Sequence, residues 1–328
     1  MYVLRFDMRA PASSPASIAE LYRAAVDMVA WGEANGCVSA MVSEHHTSSD
    51  NYLPSPLVLA AGFATRTRTL PIAIGAILLN MYDPVKLAED MAVLDILSGG
   101  RVSYIIGLGY RAEEYAMFGV PMENRTTVIE QKIPALLQAL SGQRFEYQGR
   151  TVQVRPTPLS ARGIAIAYGG HSKAAARRAG KFGLDFYANG GTPELVDIYE
   201  QAARSAGKAV GNVIVPVPGS AQCVFVAQDL DRAWNEIGPY MLHDIKMYRE
   251  WEGEDRTAVT SYARSIDEIR QENGPYRIVT PDQALDMINT SGPLMMSPLV
   301  GGCPPKHGWA SLHLLAETVL PRLAPGAV

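Results

Sequence analysis

Little in this chain points to a covalent or metallic scaffold. Its three cysteines, Cys37, Cys223 and Cys303, are odd in number and far apart in 328 residues. That argues against a disulfide framework and for a reducing compartment. No C-x-x-C pair is present, which argues against a structural zinc site. There is no block of like charge either. Lys and Arg total 29 against 33 Asp and Glu, for a net charge of -4. Without a basic stripe, neither nucleic acid nor an anionic membrane surface is an expected partner. No apolar run is long enough to span a bilayer, and Tyr2 to Met8 reads as a strand rather than a signal peptide. The expectation is a soluble cytoplasmic protein. Also missing are a P-loop, a Gly-x-Ser-x-Gly elbow, a heptad seam, an internal repeat and any low-complexity segment.

What is present is a large apolar complement, 48% of residues, with 19% charged. This is ample for a sizeable core and gives no sign of disorder. Cys37 to Val42 reads as a buried strand and runs into Glu44, His45 and His46. In parallel α/β folds, ligands bind at the carboxyl ends of strands. These three residues are therefore one corner of a candidate site.

Elsewhere strands and helices alternate. Strands begin near Tyr2, Cys37, Leu70, Arg101, Ile164, Leu184, Ser220 and Pro293. Ser17 with Glu20 makes a capping box, Asp83-Pro84 opens a helix, and Gly99 closes it. Eight such units predict one (β/α)8 TIM barrel over residues 1–328. An open doubly wound sheet would need a glycine-rich fingerprint after the first strand, and there is none. Two insertions are expected. One, at 141–161, is a hairpin turned at Gln148-Gly149. The other, Trp251 to Pro281, reads as a polar insertion placed to act as a lid.

Three further stretches could carry chemistry. Gly75 and Ala76 lie inside a strand, where glycine marks a bulge or the close approach of something flat. Gly169-Gly170-His171-Ser172 joins a strand to a helix. Its glycines allow a tight turn, and the helix start offers free amides and a positive dipole end, which suits a phosphate. The fourth strand, Arg101 to Leu108, ends in Gly107 and Leu108 and runs into Gly109, Tyr110 and Arg111; Tyr110 and Arg111 could lie over the site. Arg111, Glu113 and Glu114 could equally form a surface charge cluster. Asn80, Met81 and Tyr82 are candidates for the pocket wall. Arg177 and Arg178 read as solvated, and the four tryptophans as packing residues. His45 is the candidate acid/base group. Glu44 is the candidate carboxylate that fixes a histidine tautomer. Adjacent His45 and His46 point opposite ways along a strand, which argues against a shared metal ion.

The blocks Ser43 to His46, Pro54 to Ala60, Asp83 to Asp90, Leu94 to Val102, Gly107 to Tyr110 and Ser311 to Pro321, in this order and spacing, resemble the bacterial luciferase-like family of flavin-dependent oxidoreductases. The resemblance implies a barrel that binds FMN, or the deazaflavin F420, at the strand ends. It places His45 near the flavin ring, a bulged and often cis peptide at Gly75-Ala76, and the phosphate turn at Gly170, His171 and Ser172. The cysteine and arginine that end the fourth strand of the catalytic luciferase subunit are replaced by Gly107 and Leu108. That argues against the light-emitting reaction. The implied activity is a two-component monooxygenase. It would use reduced FMN from a separate flavin reductase, with O2, on a small organic substrate. An F420-dependent reductase or dehydrogenase is the alternative, and a non-catalytic flavin-binding protein a third. The resemblance also implies a homodimer.

Overall fold

The computed structural model describes residues 1–160, 163–217, 219–252, 257 and 260–323. Its strands in chain order are β1 (Tyr2–Phe6), β2 (Cys37–Val42), β3 (Ile72–Leu78), β4 (Val102–Gly107), β5 (Phe145–Tyr147), β6 (Arg150–Val152), β7 (Ile166–Gly169), β8 (Asp185–Tyr187), β9 (Val213–Ile214), β10 (Cys223–Val226), β11 (Tyr276–Val279) and β12 (Leu294–Met296). Ten of them form one sheet in the order β11-β10-β12-β1-β2-β3-β4-β7-β8-β9. Every pairing in it is parallel. β12 pairs with β1, so the end of the chain returns to its start. This is the α/β barrel architecture expected from the eight units.

All eight expected strands are found, as β1 to β4, β7, β8, β10 and β12. Two more are added. β9 is only a two-residue strand. β11 corrects the reading of 251–281 as an insertion, because Tyr276–Val279 pairs with Cys223–Val226 inside the main sheet. Gly274-Pro275, which looked like a break, leads into this strand. The Pro275 carbonyl accepts from both Gln222 N and Cys223 N. Residues 253–256, 258 and 259, where the lid expectation falls, lie outside the described residues. The β5–β6 hairpin is separate and antiparallel, as expected. Gln148 and Gly149 at its turn have φ of 50° and 71°, the left-handed pair that a two-residue turn requires.

The caps explain where helices begin and end. Ser17 and Glu20 form the expected reciprocal box at the head of helix Ile18–Glu33. The Asp83 carboxylate accepts from Val85 N at 2.8 Å at the start of Pro84–Ser98, and Gly99 ends that helix at φ 66°. A cap of this kind contributes about 1 kcal/mol.

Strand burial alternates in a way that creates the site. On β1, β4 and β7 every second side chain is buried against the helices, and those between are only partly covered. Partly covered strand positions that line a cavity include Arg5 on β1, Met41 on β2, Ile105 on β4, Tyr187 on β8 and Met295 on β12. The two-residue period of a strand thus separates a packing face from a cavity face.

The carboxyl end of β1 is tied to the rest by a buried cation. Arg9 is 0% exposed. Its Nε lies 2.7 Å from Asp244 Oδ1 and its Nη1 2.6 Å from Asp50 Oδ2. Asp50 is also 2.9 Å from His243 Nε2, and Tyr276 Oη donates to Asp244 at 2.7 Å. The Asp7 carboxylate accepts from Arg9 N at 2.9 Å.

Burial pushes the Asp7 carboxyl up to about 6, reinforced by Asp244 and opposed by Arg9. The folded chain therefore holds a proton that the unfolded chain releases near pH 4. The contribution of Asp7 to stability is full below that pH and is lost as pH rises through about 6. Asp7→Asn keeps the acceptor for Arg9 N, so the variant should gain stability over the parent at pH 8 but not at pH 4. Urea unfolding at the two pH values checks this; an equal difference at both counts against it.

Candidate active site

Twelve of the residues singled out from the sequence line one cavity of about 500 Å³. They are Glu44, His45, Gly75, Ala76, Gly107, Leu108, Gly109, Tyr110, Gly169, Gly170, His171 and Ser172. The volume lies in the roughly 300–1,000 Å³ range of pockets for cofactor-sized ligands.

The histidine corner lies in the segment just after β2. Past the end of β2, Glu44 and His46 meet each other, while His45 meets a different carboxylate. His46 Nε2 lies 2.8 Å from Glu44 Oε1. Glu44 also accepts from Leu78 N at 2.9 Å and Tyr82 Oη at 2.7 Å. Glu44 therefore holds His46 and the end of β3, in keeping with its reading as a carboxylate that orients a histidine. The partner of His45 is Glu114, whose Oε1 lies 2.8 Å from Nδ1. The same oxygen accepts from His46 N at 2.9 Å and lies 3.3 Å from Arg111 Nη1.

Arg111 and Glu114 are 7% and 0% exposed, so the surface-cluster reading of them fails. The Nδ1 proton directed at a carboxylate leaves His45 Nε2 as an acceptor, 3.4 Å from Tyr110 Oη. Burial holds the His45 imidazole below its usual range. The Glu114 hydrogen bond opposes this, and Arg9 and Arg111 add to it. The Glu114 carboxyl is held low; burial alone would raise it, but its bonds to His45 and His46 N and the Arg111 charge prevail. The pair is thus a carboxylate and a neutral imidazole at neutral pH.

The floor is flat because glycine makes it so. A methyl on Gly75 would overlap Met41 Cε and lie 2.8 Å from Ile105 Cδ1. The Gly75–Ala76 peptide is cis, and the β3–β4 register shifts there. The far end is the turn before helix Lys173–Phe182. Gly170 has φ 143°, and Ser172 Oγ caps the helix by accepting from Ala175 N. The serine proton and the first helix amides remain available to an anion.

Several sequence readings are corrected. Arg178 is 6% exposed, not solvated. It lines the cavity, donates to Tyr168 Oη at 3.1 Å and pairs with Glu130 at 3.2 Å. Arg125 also lines the cavity. Asn80, Met81 and Tyr82 sit behind the wall. Asn80 donates to Tyr115 Oη, Met81 packs in a small apolar cluster, and Tyr82 holds Glu44. Trp251 is not simply a packing residue. Its ring lies 4.8 Å from His45, with the guanidinium of Arg9 at 4.5 Å and that of Arg111 at 4.2 Å. Trp31 and Trp309 do pack together. The position of Arg178 was readable as part of the small-residue face Ala175, Ala176, Ala179. Nothing in the sequence marked Glu114 as the partner of His45. Among the described residues no group of three or more His, Cys, Asp or Glu is arranged to hold a metal ion. No described helix is long and apolar enough to cross a membrane.

The family model described as luciferase-like monooxygenase matches residues 1–286. The chain belongs to the luciferase-like monooxygenase family. An uncharacterised protein of Sinorhizobium fredii is 29% identical over 44% of this chain and 42% of its own length. The alkanal monooxygenase alpha chain of the Kryptophanaron alfredi symbiont is 24% identical over 59% and 57%. The oxygenase component of the flavin-dependent trigonelline monooxygenase of Acinetobacter baylyi is 25% identical over 42% and 39%. The chain thus matches between 39% and 57% of the length of these relatives.

In fold, this family member is similar to a monooxygenase from Streptomyces bottropensis, with TM-score 0.73, 18% identity and coverage of 99% and 100%. The oxygenating constituent of Pseudomonas putida 3,6-diketocamphane monooxygenase, solved with FMN, gives 0.69, 19% and 99% of both chains. An F420-dependent secondary alcohol dehydrogenase gives 0.65, 15% and 99% of both.

If Glu114 fixes the tautomer, nitrogen-15 NMR at pH 7.5 should find the His45 proton on Nδ1, and Glu114→Leu should redistribute it toward Nε2. A proton mainly on Nε2 in the parent would overturn the assignment.

Proposed function

We propose that this chain is the oxygenase of a two-component flavin monooxygenase, acting on a small organic substrate with reduced FMN and O2. The observation that carries the reading is His45 Nε2, an acceptor at the edge of a flat glycine floor whose far end suits a phosphate. The residues fit such a group. Gly75, Ala76 and Gly107 would lie along the ring, while Ser172, the helix amides and Arg178 would hold the phosphate. Arg178 supplies a cation from the helix in place of the arginine that the fourth strand lacks. Bound reduced FMN supplies the electrons for O2. His45 would accept and return a proton at Nε2, oriented by Glu114. Trp251 and the paired arginines would keep water from that edge.

A separate reductase is supported by the absence of a dinucleotide fingerprint in this sequence and by the component named in the Acinetobacter relative. Exposed Val58, Val93 and Leu97 on the helices beside the sheet support a homodimer.

The test is a titration of cofactor-free protein against FMN, riboflavin and F420 in both redox states. Reduced FMN should bind best. Arg178→Gln should weaken FMN by about tenfold or more and leave riboflavin unchanged. Tight F420 binding with FMN ignored would replace the monooxygenase with a deazaflavin oxidoreductase. His45→Ala should lower turnover more than flavin affinity; equal loss of both would remove its role in proton transfer.

A further inference from the structure

The cavity has two halves of different chemistry. The glycine floor and the Gly169–Ser172 turn occupy one. The other is lined by β1, β12 and helix Leu230–Glu252, through Arg5, Met295, Ile245 and Tyr248, with Tyr52 from the loop after β2. On the proposed flavin reading, this second half is where the organic substrate lies.

We propose that the substrate carries a carboxylate, bound by Arg5 together with the Tyr248–Tyr52 hydroxyl pair. Arg5 is a cavity-facing residue of β1. Its Nη2 donates to Tyr248 Oη at 3.4 Å, and the Tyr248 and Tyr52 hydroxyls are 3.0 Å apart. One of those hydroxyls donates to the other, so one phenolic proton remains to give. A guanidinium has five N–H donors, and among the described residues no carboxylate is paired with Arg5. Asp244 and Asp7 lie near enough to stabilise the Arg5 charge, but the contacts of the nearby acids go to other groups. Asp244 is held by Arg9 and Tyr276, Asp50 by Arg9 and His243, and Asp7 by Arg9 N. The remaining wall beside Arg5 includes Met41, Ile245 and Met295, which offer no charge.

A neutral group that displaces water here would leave the Arg5 guanidinium with no carboxylate in contact, its charge offset only from a distance by Asp244 and Asp7. A carboxylate instead matches the planar fork of the guanidinium and the phenolic donor. The Tyr187 hydroxyl faces the same space. Burial raises its ionisation range, and the Arg5 charge opposes that rise.

The test is calorimetric binding of 2-naphthoate and its neutral isostere 2-naphthamide to the full chain, with and without oxidised FMN. The acid should bind at least about tenfold more tightly than the amide. Arg5→Met should erase that preference, Arg5→Lys should keep part of it, and Tyr248→Phe should reduce it several-fold. Equal affinities in the parent, no binding of the acid at millimolar concentration, or an intact preference in Arg5→Met overturns the assignment. Should Arg5→Met fail to fold, the other two variants decide, and full preference in both overturns it. Binding of the acid is read without turnover. A failure of the monooxygenase reading in the cofactor titration would therefore leave this result standing, and the reverse also holds.

Discussion

A charge with no exposure has to be neutralised where it stands, and Arg9 is that charge here. Leaving it unpaired would cost several kcal/mol. Its partners come from distant parts of the chain: Asp7 beside it, Asp50 after β2, and Asp244 on helix Leu230–Glu252. Satisfying Arg9 therefore fixes the end of β1, the loop that carries His45, and the helix that carries Tyr248 and Trp251. The rings of Tyr52, Tyr248 and Trp251, at 4.6, 4.9 and 4.5 Å, add cation–π attraction and exclude water. Burial, with Asp244 beside it, raises the Asp7 carboxyl, and the charges of Arg9 and Arg5 offset only part of that rise.

The two adjacent histidines divide their work by the same logic. Glu44 takes three donors, from His46, Leu78 N and Tyr82, and in doing so joins the ends of β2 and β3. Glu114 takes His45, His46 N and Arg111. One carboxylate positions the scaffold under the cavity, and the other sets which nitrogen of His45 is free. The segment after β2 makes this possible, because it turns residues next to each other in sequence toward different partners.

The sequence made most of the sheet legible because strand ends here coincide with strong punctuation. Ser17 with Glu20, Asp83-Pro84, Gly99 and Gln148-Gly149 all act as read. β11 was hidden because Gly274-Pro275 is punctuation of the same kind, but its carbonyl joins the sheet instead of ending a unit. The glycine positions of the cavity were visible because glycine is needed there for space or for φ. The partners of His45 and Arg9 were not visible. They are set by which loops the barrel brings together, and Arg111-Ala112-Glu113-Glu114 looks like any solvated helix start until Glu114 is found buried. Asn80 to Tyr82 failed in the opposite sense. They follow a cavity strand, but a short 3-10 turn carries them behind the wall.

The separation of strand faces described above has a consequence for how such a chain can change over generations. Core stability rests on residues such as Leu4, Phe6, Ile74 and Ile106, which meet the helices. The shape of the cavity rests on Arg5, Met41, Ile105, Tyr187 and Met295, which do not. Replacement on the cavity face alters what the molecule can hold while leaving most of the helix–sheet contact intact. The barrel can therefore drift from one small molecule to another by single steps, each surviving on the stability of the face that did not change.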